Sequence, residues 1–119
     1  MKILVVDDNH EIASIVKMIL EDEGFEIRSA MDGVEGFRVF LQFEPDLIIT
    51  DIQMPGESGI ELMKHIRRLN PSVKNIYMSS DLCSYRSLIE EEKGKYCCSL
   101  LDKPFSKDEL MESVSEVTV

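Results

Sequence analysis

A parallel α/β sheet covered by helices on both faces is the fold this 119-residue chain predicts. Two observations predict it. Short β-branched and aliphatic runs alternate five times with segments of helical periodicity. Alternation of this kind implies parallel strands joined by crossover helices. No linker, repeat or low-complexity segment interrupts it.

Each element has its own warrant. Lys2 to Val6 reads as a buried strand, and Asp8-Asn9 supplies side chains able to cap the helix that follows. Ile12, Ile15, Val16, Ile19 and Leu20 then recur at i, i+3, i+4, i+7 and i+8, until Gly24 stops them. The same succession gives a strand Phe25 to Ala30, a helix from about Val34 to Phe43, a strand Leu47 to Thr50 and a helix from about Ile60 to Leu69. After Asn70-Pro71 come a strand Asn75 to Ser79, a helix from about Ser84 to Lys93, a strand Ser99 to Asp102 and a last helix near Asp108 to Val117.

Composition bounds the function. The length suits one domain spanning residues 1–119 with a core of its own. The apolar runs Ile3 to Val6 and Leu47 to Ile49 are far too short for a bilayer. Met1-Lys2-Ile3 leads straight into a strand and leaves no room for a signal peptide, so a cytoplasmic location is expected, with no membrane partner. A formal charge of −10 argues against direct nucleic-acid binding, which relies on basic patches. Cys83, Cys97 and Cys98 form neither an even framework nor a C-x-x-C pair, so reduced thiols are expected. His10 and His65 offer no convincing zinc ligand set. Met54, Met63 and Met78 read as core filler.

Chemistry concentrates at the ends of the runs: Asp7-Asp8, Asp51 in Thr50-Asp51-Ile52-Gln53-Met54-Pro55, Ser79-Ser80, and Lys103-Pro104-Phe105. Open parallel sheets place functional groups at their carboxyl ends. Three carboxylates, a hydroxyl and an amine would then meet at one sheet edge, a constellation suited to a divalent cation and a phosphoryl group. Packed carboxylates repel and raise at least one pKa unless a cation compensates, and magnesium prefers hard oxygen ligands. Structural readings stay open beside this one: Asp8 or Asn9 as a helix cap, Asp51 as a solvated strand-end acid, Ser79 satisfying local backbone, Lys103 as a surface cation.

In order and over essentially the whole chain, Asp7-Asp8, the run Asp51-Ile52-Gln53-Met54-Pro55-Gly56-Glu57-Ser58-Gly59, Ser79-Ser80 and Lys103-Pro104-Phe105 resemble the receiver domain of two-component response regulators. The resemblance implies a flavodoxin-like five-stranded sheet of order 2-1-3-4-5 with five helices. It also implies that Asp51 accepts a phosphoryl group from a histidine kinase or phosphotransfer protein, and that Mg is the cofactor. Asp8 and Asp51 would be direct ligands, the main-chain oxygen of Gln53 a third, and Asp7 would act through water. Ser79 and Lys103 would contact the phosphoryl oxygens, with Lys103-Pro104 in the cis form. Gln53 and Asp81 would flank the path of the water that ends the signal. The expected activity is thus phosphoacceptance, with weak self-phosphorylation and autodephosphorylation rather than enzymatic turnover. The signal would pass to a downstream target or output domain outside the chain, since the sequence ends with the fifth helix.

Two departures stand out. Leu100 occupies the place, three residues before the lysine, where the family often has Tyr or Phe as a switch, so Tyr85, Tyr96 or a different surface would carry the output. The segment from Gly94 to Lys103 also runs one residue longer than is common. Two further readings belong to other classes: a phosphatase with an aspartate nucleophile, which lacks an acid at position 53, and a degenerate receiver acting as a scaffold.

Overall fold

Strand β1 (Lys2–Val6) lies near the centre of the sheet, and the computed structural model, which describes residues 1–118 without the Leu82 side chain, shows why its sequence is apolar throughout. Ile3 and Val5 face one layer of helices while Leu4 and Val6 face the other, so both sides of the strand are dry. Around it run α1 (His10–Asp22), β2 (Glu26–Ala30), α2 (Gly33–Phe43), β3 (Leu47–Asp51), α3 (Gly59–Leu69), β4 (Lys74–Ser79), α4 (Leu82–Lys93), β5 (Cys98–Asp102) and α5 (Lys107–Thr118). The order is β2-β1-β3-β4-β5 and every pairing is parallel, as expected. Of the expected 1–119 span, Val119 lies outside the described residues.

The two layers follow from strand alternation. Ile49, Ile76, Met78 and Leu101 pack with Ala13, Val16 and Leu20 of α1 and with Leu110, Val114 and Val117 of α5. On the other face Ile48 and Tyr77 pack with Phe40 of α2, with Leu62, Met63 and Ile66 of α3, and with Ile89 of α4. Met54, Met63 and Met78 are all buried, as core filler should be. The exposed edge strand β2 is five residues long and turns Glu26 and Arg28 outward, which blunts it against further pairing.

Local chemistry sets the boundaries. Asn9, rather than Asp8, caps α1 by accepting from the amides of Glu11 and Ile12 at 3.1 and 3.3 Å. Asp32 caps α2, and Ser58 with Glu61 forms a reciprocal capping box on α3. Gly24 takes φ +91° after α1, a backbone that favours glycine. The expected strand start at Phe25 moves to Glu26, because the Phe25 amide donates to Leu20 O at 3.2 Å and so closes the helix instead. Helix α4 starts at Leu82, two residues ahead of the expected Ser84, and its N-cap Asp81 makes no side-chain cap. None of the helices among the described residues is long and apolar enough to cross a membrane.

Candidate functional site

Strands β1, β3, β4 and β5 all finish at the same edge, and each hands over one or two polar side chains there. Asp7 directly follows β1, its amide donating to Ala30 O at 3.1 Å and extending the ladder by one rung. Its carboxylate is fully buried, an arrangement tolerable only with partners. Oδ1 accepts from the Asn9 amide and Oδ2 from Lys103 Nζ, both at 2.9 Å. Asp51 closes β3 and is nearly buried, 3.4 Å from the same ammonium. Carboxylate oxygens of Asp7, Asp8 and Asp51 lie within 4.8 Å of one another.

Three carboxylates against one ammonium leave the cluster with excess negative charge. Burial, opposed by Lys103 and reinforced by the negative charges of Asp7 and Asp8, pushes the Asp51 carboxyl up from 3.8 to about 6. A hard dication is the group that would relieve this, so the donor set fits Mg. Lys103 reaches the cluster because it follows β5 directly, its amide donating to Ser79 O at 2.9 Å; the Lys103-Pro104 bond is cis, as expected.

The loop after β3 shows why the Asp-x-x-Met-Pro-x-x-x-Gly run needs its residues. Met54 plugs the α2/α3 layer. A Cβ on Gly59 would collide with the carbonyl oxygen of Asp51, so only glycine lets α3 begin against the end of β3. Thr50 Oγ1 donates to that same Asp51 oxygen at 2.9 Å. Gln53 is exposed two residues beyond Asp51.

Of the hydroxyl pair, Ser79 satisfies local backbone, the structural reading the sequence had left open. Ser79 is buried and its Oγ accepts from the Asp81 amide at 2.9 Å, whereas the exposed Ser80 lines the cleft over Asp51. That cleft, of about 550 Å³, also has Asp8, Asn9 and Lys103 in its wall. Ile12, Ile15, Pro104 and Phe105 give it an apolar side. Asp81 Oδ2 accepts from Ser84 Oγ at 2.8 Å. Cys83, Cys97 and Cys98 are free thiols.

Two features of the β4 neighbourhood were missed. Tyr77, hidden in an apolar run, donates its hydroxyl to both carboxylate oxygens of Glu92 at 2.8 and 2.9 Å. Arg67 is buried, donates to Val73 O at 2.8 Å and stacks on Tyr96 with its guanidinium 4.1 Å from the ring centre. Helical spacing alone could not reveal a buried arginine, but a tyrosine among β4 core positions could have signalled a partner.

Comparison with known proteins agrees with this geometry. The chain is 28% identical over 115 residues to sporulation initiation phosphotransferase F of Bacillus subtilis (strain 168), covering 97% of the chain and 91% of that protein. It is 33% identical over 122 residues to chemotaxis protein CheY of Halobacterium salinarum, covering 98% and 95%. Transcriptional regulators also match but are longer, the chain spanning 23% of an NtrC and 50% of a DltR. The crystal structure of response regulator TrrA of Thermotoga maritima, in complex with Mg2+-BeF, superposes with a TM-score of 0.85 at 36% identity, over 98% of this chain and 97% of that one. The family model described as "Response regulator receiver domain" matches residues 3–115, and by that match the chain belongs to the receiver domains of two-component response regulators.

Proposed function

We propose that Asp51 is the phosphoacceptor of this receiver, taking a phosphoryl group from a phosphohistidine on a kinase or phosphotransfer partner. The observation that carries the reading is the shared ammonium: Lys103 stands 2.9 Å from Asp7 and 3.4 Å from Asp51. It is thereby positioned to neutralise charge arriving on the Asp51 carboxylate. An Asp51 oxygen attacks phosphorus, an acyl phosphate bond forms, and the P–N bond breaks with its electron pair leaving on the donor imidazole. Lys103 then exchanges part of its contact with the carboxylates for a phosphoryl oxygen. The Ser79 hydroxyl, now an acceptor for the Asp81 amide, turns to donate to another.

Asp8, Asp51 and the main-chain oxygen of Gln53 would hold Mg, with Asp7 acting through water while it keeps Lys103 in place. When bound, the ion supplies charge neutralisation at the phosphoryl oxygens. The Mg2+-BeF complex of the TrrA relative supports this ligand chemistry. Small phosphodonors should serve in place of the partner, and the acyl phosphate should hydrolyse without further protein, so that signalling is self-limiting. The apolar side of the cleft, Ile12, Ile15 and Phe105, would receive the partner's helix. A cytoplasmic location follows from the two-component role.

The test is intact-mass measurement after incubation with acetyl phosphate and magnesium. Wild type should gain one acid-labile phosphoryl group and Asp51→Asn none; equal labelling of both would overturn the assignment.

A further inference from the structure

Helix α4 is tied to the sheet at two ends by two different strand β4 hydroxyls, and the ties differ in strength. Among its described side chains only Ile89 is buried, so packing alone holds it weakly. At the N-terminal end the link is Ser79 Oγ, which accepts from the Asp81 amide; Asp81 itself offers no side-chain cap. At the C-terminal end the link is Tyr77, fully buried, whose hydroxyl donates to both oxygens of Glu92. A hydrogen bond to a carboxylate is among the strong ones, and this one is partly shielded from water by the burial of Tyr77. Glu92 also anchors the turn beyond the helix: its carbonyl accepts from the Lys95 and Tyr96 amides at 2.9 and 2.8 Å, and the Tyr96 ring covers the Arg67 guanidinium. The C-terminal end is thus joined to β4 and to α3 together.

Tyr77 and Ser79 alternate on one strand and therefore face the same helix layer. Tyr77 is also the register partner of Leu100, the β5 position that lacks an aromatic ring. We propose that the Tyr77–Glu92 hydrogen bond is a fixed pivot for α4, about which the N-terminal half of the helix swings when the Ser79 hydroxyl leaves the Asp81 amide. This rests on the phosphoacceptor reading for its trigger, since a phosphoryl group on Asp51 is what draws Ser79 away. The output surface is accordingly the N-terminal half of α4, where Cys83, Ser84, Arg86 and Ser87 are exposed, and the β5 aromatic is unnecessary.

Hydrogen exchange resolved over residues 85–88 and 90–96 tests it in the full chain. Ser79→Ala removes the Asp81 acceptor with no phosphoryl chemistry. It should speed exchange at 85–88 about tenfold and leave 90–96 as in wild type. Tyr77→Phe should instead speed 90–96 about tenfold. Should that variant fold poorly, Glu92→Ala should do the same, with Glu92→Gln, which keeps an acceptor, restoring most protection. Equal acceleration of both segments in Ser79→Ala, or an unchanged 90–96 in Tyr77→Phe and Glu92→Ala, overturns the pivot. Acetyl phosphate with magnesium adds the separate arm. Labelled wild type should reproduce the Ser79→Ala pattern, and labelled protein with both segments unchanged would overturn the pivot. Absence of the adduct would refute the phosphoacceptor reading, and the pivot would then stand or fall on Ser79→Ala.

Discussion

Asp51 sits where its charge is least welcome. Its folded-state pKa of about 6 lies above the ordinary 3.8, so the carboxyl contributes stability that is full below about pH 4 and is lost as pH rises through about 6. At about 1.4 kcal/mol for each tenfold change in proton affinity, the loss is about 3 kcal/mol. In chelator, therefore, Asp51→Asn should match wild type in urea unfolding at pH 4 and exceed it by about 2–3 kcal/mol at pH 7.5, and magnesium should close the gap by stabilising wild type alone. A gap that does not change with pH would show that burial does not set this carboxyl. Gln53, exposed two residues beyond Asp51, is proposed to orient water in line with phosphorus. Gln53→Leu should slow decay of the acyl phosphate about tenfold, ~1.4 kcal/mol of barrier, when phosphodonor is removed and the adduct followed by mass. The acids and the lysine were legible because carboxylates at the ends of apolar runs have few structural uses. Ser79 was legible only as a hydroxyl; its bond to the Asp81 amide depends on how the chain leaves β4, and no residue type encodes that. The Tyr77–Glu92 pair was illegible for a related reason, since its members become neighbours only when α4 lies down on the sheet.

Elements were readable in kind and less so in their ends. Periodicity found all ten, while boundaries shifted by one or two residues wherever a cap or turn competed, as at Phe25 and at the start of α4. The junction of β3 and α3 is the least forgiving. Gly59→Ala would drive a methyl into the Asp51 carbonyl, which cannot yield without moving the acceptor strand. The expected cost is about 1–3 kcal/mol in chemical denaturation, accompanied by weaker magnesium binding; a loss of stability with magnesium affinity intact would mean that α3 alone gives way. Strand β5 has the opposite character. Leu100 is half-buried against the α2–α4 layer, and without a hydroxyl it has no alternative partner to seek. Exchange over 98–102 and 107–117 should hence change little on phosphorylation, and Leu100→Tyr should restore a response there. A strong wild-type change on that face would contradict the expectation.

The whole molecule is a layered body with a radius of gyration of 12.7 Å, and both its layers were foreseeable because each strand core alternates between them. Strand order came from family likeness, since periodicity is silent on which strands adjoin. The cleft is likewise a property of the assembled molecule, its wall drawn from α1, the end of β3, the turn after β4 and the segment after β5. Ile15, half exposed on that wall, should matter to a protein donor and not to a small one. Ile15→Ser should lower phosphotransfer from a phosphohistidine partner about tenfold while leaving the acetyl phosphate rate unchanged, and parallel loss of both rates would place Ile15 in the core instead. The pairing of Asp7 with Lys103 spans 96 positions of sequence and two intervening strands of the sheet. A chain still emerging from the ribosome owns its acceptor acid long before it owns the counter-charge. On the phosphoacceptor reading proposed above, competence would arrive only with the segment after the last strand, so a chain cut short before Lys103 should stay silent.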